Sequence, residues 1–255
     1  MSEGALRASV VSAACFLRRA PLFFQATPKT PLRVLGIVAF DTLHVLRHSR
    51  WLPPERSAHL VMFFDVAGFA NAALDGKALC EAEYRSLRER MGYAGLDRPV
   101  DDYLARLRAL EAGRPSPGGD RRGFEEDCAY REAVARLSLM TAAGMAFPPS
   151  ASEDERAADG DLDTLLRILM QCQIIDDVLD YRVDVAAGLP SFMTACASLP
   201  EAVALTAAAA ARYASPPRTR TIFPLRFVLR VVTILTRLVI GVAQPRPRNA
   251  RQFAR

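Results

Sequence analysis

Lysine is nearly missing from this chain of 255 residues: Lys29 and Lys77 stand against 31 arginines, a bias of genome composition rather than of function. Cysteine is sparse too. Cys15, Cys80, Cys128, Cys172 and Cys196 are odd in number, far apart and form no CxxC pair, which excludes a structural zinc site and a disulfide framework and predicts a reducing, cytoplasmic setting. Of the three histidines, His44 and His48 are spaced i,i+4, but no acid or cysteine stands at ligand spacing beside them, so the pair predicts an exposed helix face rather than a metal site. Only 14 glycines occur, and β-branched alternation is scarce, which argues against a sheet. Helix-turn-helix, zinc and RRM patterns are missing, and nucleic acid is not an expected partner.

What remains is rich in Ala, Leu and Arg, all strong helix formers, and 51% hydrophobic, enough for a sizeable core. The expectation is an all-α protein. Apolar periodicity, proline starts and Gly/Pro stops predict helices over about 31–48, 55–75, 80–91, 99–112, 124–147, 161–186, 200–214 and 222–243. GRPSPGGDRRG (113–123) reads as a loop. With no internal repeat or linker, residues 31–243 form one antiparallel helical bundle, preceded by an arm or helix (1–30) and followed by a basic tail (244–255). The start, GALRASVVSAACFLRRAPLFF, has the apolar run of a signal peptide without a clean small-residue cleavage site.

Charge is unevenly spread. From Ala214 to Arg255 there are nine arginines and no acid, while the chain as a whole carries +5. Such a segment suits anionic lipid, nucleic acid or a phosphorylated substrate, or stays solvated. The last helix, TIFPLRFVLRVVTILTRLVIGVAQ, is long enough to span a bilayer, but Arg226, Arg230, Thr233 and Arg237 fall within about 60° of one another on a 3.6-residue wheel. A polar stripe on an apolar rod predicts a bundle helix or one lying on a membrane, hence a peripheral membrane contact.

The densest chemical signal is QCQIIDDVLDYRVDVAAGLPSF, 171–192. Asp176, Asp180 and Asp184 follow at i, i+4, i+8 and drift only about 40° per step, so they share a face; Asp177 lies about 100° away. Stacked carboxylates raise one another's pKa unless a cation neutralises them. Hard oxygen donors of this kind suit Mg²⁺, which keeps several waters and bridges to substrate phosphates; a solvated acidic face paired with arginines is the other reading. On the helix HLVMFFDVAGFANAALDG, Asn71 and Asp75 form a second i,i+4 pair, and Asp65, between Phe64 and Val66, either binds metal or meets an arginine.

The row Gln173, Asp176, Asp177, Asp180, Asp184, Gly188, Pro190 resembles the second aspartate-rich motif of trans-polyprenyl diphosphate synthases, within the class I isoprenoid synthases that include squalene and phytoene synthases and terpene cyclases. Arg212-Tyr213 is similar to an RY dipeptide of terpene cyclases. A first DDxxD motif is absent; Asn71-x-x-x-Asp75, with Asp65, takes its place, and Leu189 stands where the family has a Lys. The resemblance implies a bundle with a central cavity and Mg²⁺ held by Asp176 and Asp180, assisted by Asp177 and Asp184 and faced by Asn71, Asp75 and Asp65. It implies an allylic prenyl diphosphate as substrate, ionised by a prenyltransferase or terpene synthase, and leaves room for a homodimer. Gln173, Arg122, Arg131, Arg226 and Arg230 are the candidate polar contacts to substrate, and Phe64 and Phe69 the candidate apolar lining. The alternative is a helical protein that has lost catalysis and binds a membrane or protein partner.

Overall fold

A computed structural model describes residues 30–74, 76, 78–147, 158–215 and 221–243, with isolated positions near the N-terminus; most of the arm, Asp75 and the basic tail lie outside the described residues. Eight helices are bounded: α1 (Thr30–His48), α2 (Pro54–Leu74), α3 (Glu81–Tyr93), α4 (Asp97–Glu111), α5 (Arg121–Ala146), α6 (Gly160–Ala187), α7 (Leu199–Ala214) and α8 (Phe223–Ala243). Among the described residues there is no strand, only one backbone bridge between Gly119 and Cys196. The protein is all-α.

Helix ends follow local chemistry. The side chain of Asp159 accepts from the backbone N–H groups of Asp161 and Leu162 at the start of α6, and Asp120 does the same for Arg122 and Gly123 at the start of α5. Gly188 ends α6 at φ 63°, a left-handed conformation that glycine adopts without strain. Replacing Asp159 by alanine should cost about 1–2 kcal/mol, readable as a lower midpoint in urea, since it removes the cap and one partner of Arg47.

Cross-links between helices fix their directions. Arg56 at the start of α2 donates to Ala146 O at the end of α5 (3.1 Å), and Tyr103 of α4 meets Ser138 of α5 (3.2 Å) while Tyr130 donates to Glu111. Both α2 and α4 thus run antiparallel to α5. α7 runs antiparallel to α6, with Arg167 Nη1 on Arg212 O and Gln171 Nε2 on Ala210 O (2.7 Å). Between these helices lies a core that includes Phe40, Phe63, Met91, Phe124, Leu166, Met170, Ile174 and Phe192. α2 is the one described helix long and apolar enough to cross a membrane by length and composition. Its Leu60, Phe63 and Val66 are buried in the bundle, with Phe63 edge-on to Tyr103 at 5.0 Å.

One end of the bundle is tied by a charged knot. Arg47, in the last turn of α1, donates to Asp159 (2.8 Å) and Asp161 (2.7 Å), and its guanidinium lies over the Phe147 ring at the end of α5. The other oxygen of the Asp161 carboxylate accepts from the Ile222 N–H just before α8 (2.8 Å). His44 is buried here, not on an exposed face as its spacing suggests. Its ring stacks on Phe147 and its Nδ1 meets Arg50 O at 2.8 Å, while His48 stays exposed.

Candidate functional site

The acidic row occupies the end of α6 away from that knot. Arg131 of α5 meets Asp177 late in α6, while Arg47 joins Phe147 at the end of α5 to Asp161 at the start of α6. So α5 is antiparallel to α6 as it is to α2, and the C-terminal ends of α2 and α6 lie at the same end of the bundle. Asn71 is exposed there. The 40° drift along the row sets what each carboxylate meets. Asp176 and Asp180 are exposed, Asp184 is half-buried and Asp177 is buried. The apolar surround of the row is true only upstream, where Met170 and Ile174 are core; downstream, Leu179 and Val183 face solvent.

Asp177 belongs to a buried network built around Arg131 of α5. Arg131 Nε donates to Asp127 (3.0 Å), Nη1 to Asp177 Oδ1 (3.3 Å) and Nη2 to Pro190 O (2.6 Å), and the guanidinium lies over the Phe192 ring at 5.1 Å. Asp177 also accepts from the Phe192 N–H at 2.7 Å. Two carboxylates therefore share one guanidinium. Flanked by both, Arg131 is held charged despite its burial. The acids are pushed the other way: burial raises Asp127, and burial raises Asp177 to about 7 against the pull of Arg131. The second oxygen of Asp127 is buried without a hydrogen-bond partner.

The segment after α6 is pinned to this network. Ser191 N–H donates to Thr194 Oγ1 (2.7 Å), Thr206 of α7 donates to Phe192 O, and Gly118 N–H donates to Thr194 O (2.8 Å). At Gly119 a Cβ would come within 3.2 Å of Ala195 O, so the close approach of the two loops favours glycine. Burial raises the Asp184 carboxyl; a Ser191 hydrogen bond and Arg131 oppose this, and Asp180 and Asp176 add to it. Gln173 precedes the acids, and its Oε1 is buried without a partner.

The remaining candidates are placed apart from the row. Asp65 meets Arg33 of α1 at 2.5 Å, so of its two expected fates it takes the arginine. Phe64 packs its ring against Gly36 of α1, and Phe69 stands edge-on to Tyr84 of α3 at 5.7 Å. Arg122 is exposed and pairs with Glu126. Arg226 and Arg230 are exposed on α8, close after Ile222, and so lie toward the knot; Asp176 is about 22 Å further along α6 than Asp161 at 1.5 Å per residue. Arg212 and Tyr213 reach α5 through Glu125 (3.2 Å) and Glu132 (3.0 Å). A cavity of about 430 Å³ is lined by Leu79, Glu81, Tyr84, Arg85 and Arg88, and one of about 190 Å³ by residues of α7 and α8; the acidic row lines neither.

Asp176 and Asp180 are exposed oxygen donors one helical turn apart, the donor type that a hard divalent cation takes. Among the described residues no three His, Cys, Asp or Glu side chains gather into a self-sufficient metal site. Asp127, Ser191 and the Phe192 N–H escaped sequence reading, although the i,i+4 spacing of Asp127 and Arg131 is a signal for that ion pair. Burial pushes the Cys128 thiol up to about 12, which keeps it protonated at neutral pH. No protein-family model, curated protein or solved structure matches the chain.

Proposed function

We propose that this protein is a Mg²⁺-dependent enzyme of the class I isoprenoid type, ionising an allylic polyprenyl diphosphate as a prenyltransferase or terpene synthase. One observation carries the reading: Asp176 and Asp180 are turned outward, one turn apart, while Asp177 and Asp184 of the same motif are turned inward toward Arg131 and Ser191. Asp176 and Asp180 would hold the metal, and Asn71 faces the same end of the bundle. Bound Mg²⁺ would neutralise charge developing on the leaving diphosphate. Asp177 and Arg131 are positioning residues: they hold the Pro190–Phe192 segment against α6 and so fix the end of the helix that carries the row. The unpartnered Gln173 Oε1 leaves an acceptor beside it.

The second reading, a helical protein without catalysis that binds a partner, draws on the engagement of Phe64, Phe69 and Arg131 in packing rather than around a cavity at the row. Diphosphate release separates the two. The protein with Mg²⁺ is given geranyl, farnesyl and geranylgeranyl diphosphates, alone and with isopentenyl diphosphate. Release from at least one, reduced at least a hundredfold in Asp176→Ala/Asp180→Ala with an unchanged melting temperature, is the expected result. No release, together with no Mg²⁺-dependent diphosphate binding, would leave the second reading.

A further inference from the structure

α8 is amphipathic in an unusual sense. Its inward face, Leu225, Leu229, Thr233, Thr236 and Ile240, is buried. Its outward face is not polar. Phe227, Val231, Ile234, Leu235, Leu238 and Val242 are all exposed, with Ile234 at 57%, Leu238 at 62% and Val242 at 88%. On a wheel of 100° per residue they occupy a band about 100° wide. Arg226, Arg230 and Arg237, exposed as well, lie within about 40° of one another along one edge of that band. Thr233, expected within this polar stripe, is buried at its inner margin, so the exposed stripe is purely cationic.

We infer that the outward face of α8 seats on an anionic lipid bilayer, its apolar band in the acyl boundary and its arginine edge at the headgroups. The charge pattern selects this occupant. α8 carries no acid, and the nine arginines between Ala214 and Arg255 have no acid among them. A second copy of the chain suits the face poorly: an antiparallel two-fold pairing brings the same flank of both helices together, so the three arginines would meet their own counterparts. Spanning is excluded for α8, since its other face is committed to the bundle. Arginine stems are long enough to cover the edge of the apolar band while the guanidiniums reach phosphate. The inference stands independently of the catalytic reading.

Flotation of the full chain with vesicles of phosphatidylcholine and phosphatidylserine tests it. Binding is expected to weaken with salt and to fall on pure phosphatidylcholine. Ile234→Asp/Leu238→Asp should cut partitioning at least tenfold. Arg226→Gln/Arg230→Gln/Arg237→Gln should cut it roughly a hundredfold on anionic vesicles, from about 1 kcal/mol per basic residue at the surface. Both variants alter exposed positions, and circular dichroism checks that helix content and melting are kept. Vesicle binding that survives both variants would overturn the inference. So would a full chain that ignores anionic vesicles and instead forms a dimer broken by Ile234→Asp/Leu238→Asp, or one that binds DNA through the same arginines.

Discussion

Arg131→Met should lower the melting temperature by about 6–20 °C, the equivalent of roughly 3–5 kcal/mol for removing one partner of a buried ion pair in a chain of this size. The cause is what the substitution leaves behind. Asp127 and Asp177 would remain inside the bundle without their ion-pair partner, and Pro190 O would lose its donor at 2.6 Å. Methionine fills much of the volume over the Phe192 ring, so the loss reports charge rather than a cavity. Adding Asp127→Asn and Asp177→Asn to Arg131→Met should recover a large part of the stability, because the penalty belongs to unpaired carboxylates. A triple variant no more stable than the single one would show that the guanidinium acts by packing. Amide exchange should locate the change in the 189–195 segment.

The second large effect is on pH dependence. The carboxyl of Asp177 is pushed from 3.8 up to about 7 in the folded chain, chiefly by burial. A group raised in this way favours the fold fully below its unfolded pKa, and that contribution is lost as pH rises to the folded value. The contribution of Asp177 to stability should therefore decline between about pH 4 and pH 7 and stay flat above. Its size is a few kcal/mol across the window, at about 1.4 kcal/mol per pKa unit. Urea midpoints of the parent and Asp177→Asn at a series of pH values give the difference directly. The difference should slope between pH 4 and 7; a difference curve flat across that window would mean that Asp177 is ionised throughout, held by Arg131 and the Phe192 N–H.

Much of the architecture was legible because its punctuation is local. Pro54, Gly188 and the Gly- and Pro-rich loop read over 113–123 mark helix ends by backbone chemistry that needs no partner, although α5 begins at Arg121 and takes the last three residues of that loop; the observed bounds of α1, α2 and α6 fall within a residue or so of the periodic pattern. The shared face of Asp176, Asp180 and Asp184 is likewise a property of one helix. What each carboxylate meets is not. The difference between Asp176, exposed, and Asp177, buried on Arg131, depends on where α5 lies, 46 residues earlier in the chain. His44 shows the same limit: its i,i+4 spacing with His48 is unchanged by the ring of Phe147 that buries it. For α8, composition predicted an amphipathic helix, but which of its faces would turn inward follows from α6 and α7. Only the packed chain reveals that apolar side chains were left outside.

The two oxygens of Asp161 also set a schedule for chain synthesis. One is met by Arg47, made long before it; the other waits for Ile222, 61 residues later. At roughly 5–20 residues per second that interval lasts about 3–12 s, against microseconds for a helix to form. During it α6 exists with the face that α8 will cover still open, so a nascent chain of this protein should present chaperones with that one helix for seconds before α8 arrives to close it.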